Sequence, residues 1–370
     1  MRAREALARA LRAAASRVPD LFAVDAPLIV GYSGGQDSTA LLHALSRHRP
    51  RGGLIAVHVD HALRAGSADT ALQVVAAGAA MGIAVEISRV DVPAYRHRLT
   101  GWSVQQAARA ARYHALAQAA QERGAVAVLV AHTADDQAET LLLHLLRGAG
   151  LAGLAGMRLE QTLDAGQLGP PPAEWDVGPA PLRLARPLLG VRRSTTLAYC
   201  AELGLPVVED PSNQSRAYTR NRVRLDLLPA LEAFNPAIGA VLARTADLAA
   251  DDLAVLEAVV AELARTLARP APPGELVFDL AQWRLQPRAL QRRLLRRGLA
   301  ELLGTLADVP ASPIEDALDL LSTGRPTATY HLPYGVEVRI ESDVFRLLKH
   351  GRAMQPQRSR KIGGVERPRV

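Results

Sequence analysis

The amino-acid sequence predicts an α/β fold, in which a doubly wound parallel sheet is followed by a mostly helical domain with a small β element. Three observations support this prediction. Short runs rich in Val, Ile and Ala alternate with amphipathic segments through the first half of the chain. Each run is almost continuously apolar, which is typical of parallel strands buried on both faces. Beyond about residue 235, long helical segments dominate, and a short alternating β pattern follows them.

The first half contains four strand-like runs, PLIVGYS, GLIAVHVD, IAVEISRV and AVAVLVAH. The helix-like segments between them have Ser67 and Ser103 where N-caps are expected, and Gly82 and Gly124 where C-terminal caps are expected. The repeated strand–helix order predicts parallel strands joined by right-handed crossovers. Ligands of such sheets bind beyond the carboxyl ends of the strands. The polar clusters of this sequence follow those ends.

The second half has a different pattern. A segment rich in Pro and Gly, GQLGPPPAEWDVGPAP, predicts a loop, and the helix-like runs GVRRSTTLAYCAELG and NRVRLDLLPALEAF follow it. The segment ATYHLPYGVEVRIESDVFRLL predicts strands joined at a PYG turn. We therefore predict an α/β domain over residues 1–235, a helical and α+β domain over 236–350, and a basic, disordered tail over 351–370.

Composition restricts the classes of function. The chain has no apolar run of the roughly 18 residues that a membrane span requires. Its single cysteine, Cys200, excludes an internal disulfide and a CxxC redox pair, and it fits a reducing, cytoplasmic location. The net charge is +7, and the end of the chain from Lys349 onward carries most of it, with seven basic residues against Glu366. This basic end is either a solvated tail or an arm for an acidic partner.

The segment SGGQDS, Ser33–Ser38, follows the first strand and leads into a helix. Its glycines let the backbone approach an anion closely, and the helix N-terminus directs N–H groups and a positive dipole end at the same point. Asp37 suits such a site if it holds a divalent metal that neutralises phosphate. No lysine precedes Lys349, so the loop lacks the lysine of loops that bind a γ-phosphate.

The pattern SGGxDS resembles the PP-loop signature of the N-type ATP pyrophosphatases. This resemblance implies a Rossmann-like domain, ATP and Mg²⁺ as cofactors, and cleavage of ATP between its α and β phosphates. In that chemistry the loop holds the departing pyrophosphate, an oxygen atom is adenylated, and a nucleophile then displaces AMP. The superfamily includes GMP and asparagine synthetases, tRNA thiolases and tRNA lysidine synthetases.

A histidine-containing cluster, HVDHALRAGS, lies at the end of the second strand. It contains His58, His61 and Arg64, of which the last two could face a nucleotide. The short block HVDHxLR resembles one PP-loop family in particular, the tRNA(Ile)-lysidine synthetases.

A cationic cluster, QQAARAARYHAL, places Arg109 and Arg112 on one helix face, beside Tyr113. This ridge either binds phosphate or is a solvated helix face. The same family normally has a Glu shortly before AxRxxRY, where this chain has Gln105 and Gln106. The residues predicted to bind ATP or pyrophosphate are Ser33, Gly34, Gly35, Gln36, Asp37, Ser38, His58 and Arg112.

The acidic cluster AHTADDQAET contains His132 at a strand end, followed by Asp135, Asp136 and Glu139 in the first turns of a helix. Acidic residues in a first turn also suit the helix dipole, by about 0.3–1 kcal/mol each. The stretch from Ala131 to the later RGAG resembles the lysidine synthetase motif. The resemblance implies that these carboxylates bind a metal or the ammonium group of a lysine substrate.

The last polar block comprises RPLL, EDPSN and YTRNRVRLDLLPAL. It resembles the same family, and its arginines could contact RNA or polyphosphate. The residues that the resemblance marks as catalytic are Asp37, Asp136, Glu139 and Arg220. Those that it marks for lysine or tRNA are His132, Asp136, Glu139, Asn213, Arg220 and Arg224.

Five ordered motifs over roughly residues 27–235 thus resemble the tRNA(Ile)-lysidine synthetase family, and a weaker resemblance continues through the helical region and LPYGVEVRI. The resemblance implies that residues 1–235 are the catalytic domain and that residues 236–350 bind tRNA. The resemblance implies a carbon–nitrogen ligase that attaches L-lysine to C2 of the wobble cytidine of a tRNA(Ile) with a CAU anticodon. The reaction would pass through an adenylated cytidine and give lysidine, AMP and pyrophosphate. The family includes dimers, so a homodimer is possible. The alternative is a thiolase-like PP-loop enzyme, but Cys200 lies away from every polar motif in the sequence.

Overall fold

The computed structural model describes residues 2–23, 27–48, 53–172, 181–208, 215–216, 218–304, 309–323 and 325–350. The chain divides into two compact units, Met1–Ala254 and Val255–Val370. The division lies within one long helix, Ile238–Leu267, whereas the predicted domain boundary lies just before this helix. The predicted basic tail lies outside the described residues.

The first unit contains a six-stranded sheet. Its strands are β1 (Leu28–Gly31), β2 (Leu54–Asp60), β3 (Val85–Arg89), β4 (Ala127–Leu129), β5 (Glu160–Leu163) and β6 (Leu182–Ala185). The strand order is β3-β2-β1-β4-β6-β5. All neighbours pair in parallel except β5, which is antiparallel to β6. The predicted doubly wound α/β fold is therefore confirmed.

Helices flank this sheet and extend beyond it. The helices of this part of the chain are α1 (Arg2–Arg17), α2 (Pro19–Ala23), α3 (Gln36–His48), α4 (Ser67–Ala80), α5 (Val92–His97), α6 (Val104–Glu122), α7 (Ala134–Leu146), α8 (Leu151–Leu154), α9 (Ala165–Leu168), α10 (Arg193–Leu203), α11 (Thr219–Arg222), α12 (Leu228–Phe234) and α13 (Ile238–Leu267). A five-residue π-helical segment, Val223–Leu227, joins α11 to α12.

Local sequence explains most helix boundaries. Ser103 caps α6 as predicted, because its hydroxyl accepts a hydrogen bond from the Gln106 N–H at 3.2 Å. Ser67 is the first residue of α4, and its N-cap is Gly66, whose φ of 86° only glycine adopts without strain. The region around the Pro/Gly-rich loop contains strands β5 and β6, which the sequence did not predict. Both are four-residue strands that form through long-range pairing: β6 pairs with β4, and the edge strand β5 pairs only with β6.

The sheet positions the functional site through its topology. The strand order reverses between β1 and β4, so the loops that follow these two strands separate at this point. Open α/β sheets bind ligands at such a switch point. The central strand β1 is fully buried at Leu28, Ile29 and Val30, so the loop that follows it extends from a rigid support.

The second unit contains a five-stranded antiparallel sheet and packed helices. Its elements are β7 (Ala268–Arg269), β8 (Glu275–Asp279), α14 (Leu280–Arg284), α15 (Arg288–Leu303), α16 (Ala311–Thr323), β9 (Thr329–Leu332), β10 (Val336–Glu341) and β11 (Val344–Lys349). The predicted PYG turn is a short 3₁₀ segment between β9 and β10. The core centres on Trp283, whose ring lies 4.7 Å from Phe345 and 6.2 Å from Phe278, measured between ring centroids.

Within the described residues, no single helix is long and apolar enough to cross a membrane. One bent pair, Thr219–Phe234 with Ile238–Leu267, meets the length and composition requirement only when its two arms, 97° apart, are taken together.

Trp283→Ala should lower the free energy of unfolding by about 3–5 kcal/mol, because it removes a fully buried aromatic side chain and leaves a cavity. The matched control is Leu285→Ala, two positions along the chain, where the side chain is 74% exposed. Denaturant unfolding would measure both variants. Equal unfolding midpoints for the two would contradict the described core.

Candidate active site

The SGGQDS segment forms a tight phosphate loop between β1 and α3. The Ser38 hydroxyl donates to the Gly35 carbonyl at 2.9 Å and accepts from the Ser33 N–H at 3.2 Å. Gly34 has a φ of 81°, and a Cβ at this position would lie 2.8 Å from Val74 Cγ2, so only glycine fits. The first N–H groups of α3 have no partner within the helix, and they remain available to an anion.

Three carboxylates converge on one guanidinium beside this loop. Arg193, the first residue of α10, has Nε 3.4 Å from Asp37 Oδ2. Its Nη2 lies 3.0 Å from Asp136 Oδ1, and its Nη1 lies 3.2 Å from Glu139 Oε1. We call Asp37, Asp136 and Glu139 the carboxylate cluster. Arg193 therefore ties the phosphate loop and α3 to the start of α7.

Two predicted arginines complete the cluster. Arg220 Nε donates to Glu139 Oε2 at 2.8 Å, and its Nη2 lies 3.1 Å from Asp136 Oδ1. Arg224 Nε lies 3.9 Å from Glu139 Oε1. The Glu139 side chain is only 1% exposed, and a carboxylate so deeply buried needs cationic partners. The structure thus brings together five of the predicted site residues, Asp37, Asp136, Glu139, Arg220 and Arg224.

The start of α7 orients Asp136 through a capping box. Asp136 Oδ2 accepts from the Thr133 N–H and from the Thr133 hydroxyl, each at 2.8 Å. This leaves Oδ1 to meet the arginines. The first-turn acid therefore both caps the helix and pairs with cations.

Burial and charge act differently on the acids of the cluster. Burial raises the pKa of Asp37, against the opposing effects of the Thr196 hydroxyl and Arg193. Burial also disfavours the charged form of Asp136, but the guanidinium groups of Arg193 and Arg220 outweigh it and hold this pKa below its ordinary value. The same carboxylates raise the pKa of Arg193, although burial opposes them. Perturbed, opposed carboxyl groups of this kind are typical of functional sites.

The predicted histidines line the same edge of the sheet. His58 Nδ1 donates to the Tyr32 carbonyl at 3.0 Å, and Arg112 Nη2 lies 3.5 Å from His61 Nε2. Burial lowers the pKa of His61 to about 4, with Arg112 acting in the same direction. Burial also lowers the pKa of His132. The buried Nδ1 atoms of His61 and His132 have no hydrogen-bond partner among the described residues, so both are candidate ligand contacts.

Two predicted features have other outcomes. Gln106 occupies the region where the resembled family has a Glu, and its Oε1 accepts the Ser103 N–H at 2.8 Å. This side chain is therefore engaged in capping α6. Asn213 lies outside the described residues, and its role stays a prediction.

The sequence interpretation missed Arg193, Arg192 and Thr196. The Arg193 N–H donates to Asp135 Oδ2 at 2.8 Å, Arg192 Nε lies 3.4 Å from the same oxygen, and the Thr196 hydroxyl donates to Asp37 Oδ1. One signal was present in the sequence: two arginines at a helix N-terminus oppose the helix dipole. Such an unfavourable placement indicates that other elements supply carboxylates.

Asp37 could serve as one ligand of a magnesium ion. Among the described residues, no group of three or more His, Cys, Asp or Glu side chains could hold a metal by itself. Mg²⁺ in nucleotide sites usually takes one or two carboxylates, and substrate phosphates and water supply the rest. A single carboxylate beside a phosphate loop fits that pattern.

Cys200 contacts the phosphate loop, although the two are far apart in the sequence. Its thiol donates to the Gln36 carbonyl at 3.4 Å, and the side chain is buried. Burial raises the pKa of this thiol to about 11. Cys200 is therefore distant from the polar motifs along the sequence but close to one of them in the fold, so the expectation was wrong for the three-dimensional structure. The thiol is nevertheless protonated and inaccessible.

The strand, phosphate loop and acid-rich helix at a switch point define a nucleotide-binding α/β enzyme of the PP-loop class. A family model described as a PP-loop domain matches residues 6–231, and one described as the TilS substrate binding domain matches residues 278–343. A solved structure, a U34-tRNA thiolase from Methanococcus maripaludis with its [4Fe-4S] cluster, has a TM-score of 0.53 at 18% identity. That match covers 67% of this chain and 78% of the thiolase, and it shows the fold alone.

Curated relatives indicate which family within the PP-loop class this chain belongs to. The tRNA(Ile)-lysidine synthase of Salinispora tropica is 43% identical, over 90% of this chain and 92% of its own length. That of Thermosynechococcus vestitus is 36% identical, over 85% of this chain and 83% of its own length. The chain spans 66% of the Dehalococcoides mccartyi enzyme, at 36% identity over 86% of this chain. This chain belongs to the tRNA(Ile)-lysidine synthase family.

Arg193→Gln should lower the free energy of unfolding at pH 7 by about 1.5–3 kcal/mol, because it removes charge-assisted hydrogen bonds to three carboxylates. The depressed pKa of Asp136 stabilises the fold above its ordinary pKa, and this contribution is lost as the pH falls through the folded value. The loss of unfolding free energy in Arg193→Gln, relative to the wild type, should therefore be complete at pH 7 and should become smaller below about pH 4.

The control for this variant is Arg265→Gln, which breaks an exposed ion pair with Glu262 and should change stability by less than about 1 kcal/mol. Urea unfolding at pH 7 and at acid pH would measure both. A deficit of Arg193→Gln that is independent of pH would argue against ion pairing as its cause.

Proposed function

We propose that this chain ligates L-lysine to C2 of the wobble cytidine of a CAU-anticodon tRNA(Ile), using ATP and releasing AMP and pyrophosphate. One observation carries the proposal: Arg193 joins the Asp37 carboxylate of the phosphate loop to Asp136 and Glu139. A nucleotide site and a site suited to a cationic amino acid are thereby adjacent. The family membership supports the same reaction.

The phosphate loop is proposed to bind the β and γ phosphates of ATP as the pyrophosphate leaves. Ser33, Gly34, Gly35, Gln36 and Ser38 supply backbone N–H groups and hydroxyls. Asp37 would hold Mg²⁺, which neutralises charge on the phosphates when it is bound.

His58 and Arg112 are proposed to face the nucleotide at the neighbouring strand end. Arg112 suits the α-phosphate, because a guanidinium matches phosphate geometry. His58 is half-buried and its ring is fixed by the Tyr32 carbonyl, so it can offer only its other nitrogen to a ligand.

The carboxylate cluster is proposed to bind lysine through its ammonium group. Asp136 and Glu139 now accept hydrogen bonds from Arg193 and Arg220. A lysine ammonium would share these oxygens or take the place of one guanidinium. His132, at the end of β4, would contact the cytidine, since its buried Nδ1 has no partner among the described residues.

The proposed reaction has two steps. The C2 oxygen of the cytidine first attacks the α-phosphate of ATP, and pyrophosphate leaves on the phosphate loop. The lysine amine, after losing a proton to a carboxylate, then attacks C2, and the C2 oxygen departs with AMP. Arg220 would stabilise the negative charge that develops on the leaving groups, and Arg224 and Asn213 would position the RNA.

The thiolase-like alternative has less support. The likeness to the thiolase structure shows only a shared fold. Cysteine-dependent sulfur transfer needs a reactive thiolate or a cluster ligand, and Cys200 is the single cysteine of the sequence. Its thiol is buried with a raised pKa, which suits packing and not catalysis.

The second unit offers a basic helix face to RNA. On α15, Arg288 and Arg292 pair with Glu315 at 2.9 Å or less. Three further arginines of the same helix, Arg293, Arg296 and Arg297, form no ion pair within the described residues. Arg293 lies three and four positions before Arg296 and Arg297, and like charges at these spacings destabilise a helix by about 0.2–0.5 kcal/mol per pair. A polyanion such as tRNA would relieve this repulsion.

Further parts of the proposal concern partners and location. A homodimer, a cytoplasmic location and an RNA-binding role of the basic tail stay predictions. The tail could extend the cationic surface, since residues 351–370 carry six basic residues and one acid.

Incubation with labelled lysine, ATP and a transcript of the CAU-anticodon tRNA(Ile) tests the proposed function directly. Label should enter the tRNA only when all three are present. A transcript in which uridine replaces the wobble cytidine is the matched control, and it should accept no label. Transfer of label without ATP, or to the control transcript, would refute the proposed reaction.

Asp136→Asn should raise the KM for lysine roughly 10- to 100-fold, because it removes one charge from the proposed ammonium site. Release of pyrophosphate that depends on tRNA but not on lysine should persist. The matched control is Asp164→Asn, the same charge change at the N-cap of α9. An unchanged KM for lysine in Asp136→Asn would remove this residue from the lysine site.

Replacing Arg293, Arg296 and Arg297 together by Gln should weaken tRNA binding and reduce its salt dependence, because each phosphate contact contributes about one unit of slope. The matched control replaces Arg2, Arg9 and Arg12, on the exposed face of α1, by Gln and so changes the net charge by the same amount. Filter binding at several salt concentrations would compare the two. If the two triple variants showed the same slope of log affinity against log salt concentration, net charge alone would explain the effect, and a tRNA contact at α15 would be contradicted.

A further inference from the structure

An open cavity of about 490 Å³ lies outside the site described above, where α5 ends and α6 begins. Its lining includes Arg96, His97, Trp102, Ser103 and Gln106, and none of the described residues that line it is a carboxylate. Arg96 and His97 are exposed, whereas Trp102 is half-buried. A cavity whose described lining combines an aromatic ring with a guanidinium and an imidazole, and includes no acid, suits an anionic, planar ligand.

The walls of this cavity are fixed by specific contacts. Arg96 Nε donates to the Trp102 carbonyl at 3.1 Å. The backbone of Gly169 approaches the indole so closely that a Cβ there would lie 2.6 Å from the Trp102 ring. The Ser103–Gln106 capping box fixes the other wall. The guanidinium Nη atoms of Arg96 are not used by this hydrogen bond, so they can meet a phosphate.

The cavity lies at the same edge of the sheet as the candidate active site. The Val92 N–H at the start of α5 donates to the His61 carbonyl at 3.3 Å, and the His61 ring contacts Arg112. Ser103 and Arg112 belong to one helical stretch, nine residues apart, which is roughly 14 Å at 1.5 Å per residue. A ligand that extends from the active site along α6 would reach the cavity.

We propose that this cavity binds an unpaired nucleotide that flanks the modified base, with its base against Trp102 and its phosphate on Arg96 and His97. The inference rests on the proposed function, because a target base in a loop must be drawn out of its stack. Its neighbours then lose stacking partners. A base stacked on an aromatic side chain recovers about 1–3 kcal/mol.

The test is a double-mutant cycle, in which each protein variant is measured for binding to each RNA variant. The RNA is an anticodon stem-loop in which each nucleotide flanking the wobble cytidine is made abasic in turn. With intact RNA, Trp102→Ala should weaken binding roughly 5- to 150-fold, the equivalent of one lost stack. With one particular abasic RNA, the variant and the wild type should bind equally. Equal effects of Trp102→Ala on the intact RNA and on all abasic RNAs would overturn the proposal.

Further variants separate the subsite from a folding defect. Trp102→Phe keeps a ring and should restore most of the binding, and Arg96→Gln should weaken binding and lower the salt slope. Arg12→Gln, an exposed charge on α1, is the matched control. The KM for lysine should be unchanged in all of them. Failure of the wild type to form lysidine would count against the proposed function, whereas an active wild type with no Trp102 effect would count against the subsite alone.

Discussion

The site depends on one half-buried cation, the guanidinium of Arg193. It bridges Asp37 on α3 to Asp136 and Glu139 on α7, so three helices meet at one side chain. Without it, three carboxylates would share a largely buried volume with fewer compensating charges, which is strongly unfavourable. The charge of this one residue therefore links the phosphate loop to the acidic helix.

The position of Arg193 is electrostatically unfavourable within its own helix, and a neighbouring helix compensates for this. Arg192 and Arg193 lie at the N-terminus of α10, where the helix dipole disfavours positive charge. Asp135 accepts the Arg193 N–H and contacts Arg192, so α7 supplies the negative charge that α10 needs. Preorganised charges of this kind can act on a reacting group without reorganising during the reaction.

The sequence predicted those parts of the site that are contiguous. SGGQDS and AHTADDQAET each contain their own loop, cap and functional side chains, so local rules were enough to interpret them. Arg193 was missed, because its partners lie 54 to 156 residues away along the chain. Strands β5 and β6 and the π-helical segment were missed for the same reason: their pairing and packing depend on tertiary context. The position of Cys200 against Gln36 likewise follows only from the packing of α10 on α3.

In the proposed reaction, ATP held by the phosphate loop adenylates the cytidine C2 oxygen, and the adjacent carboxylates deliver the lysine amine. A heavy-oxygen label at C2 of the wobble cytidine tests it most directly, with mass spectrometry of the products. The label should leave the tRNA and appear in the phosphate of AMP, one atom for each lysine incorporated. Retention of the label in the modified tRNA, or its appearance in pyrophosphate, would contradict adenylation of the C2 oxygen.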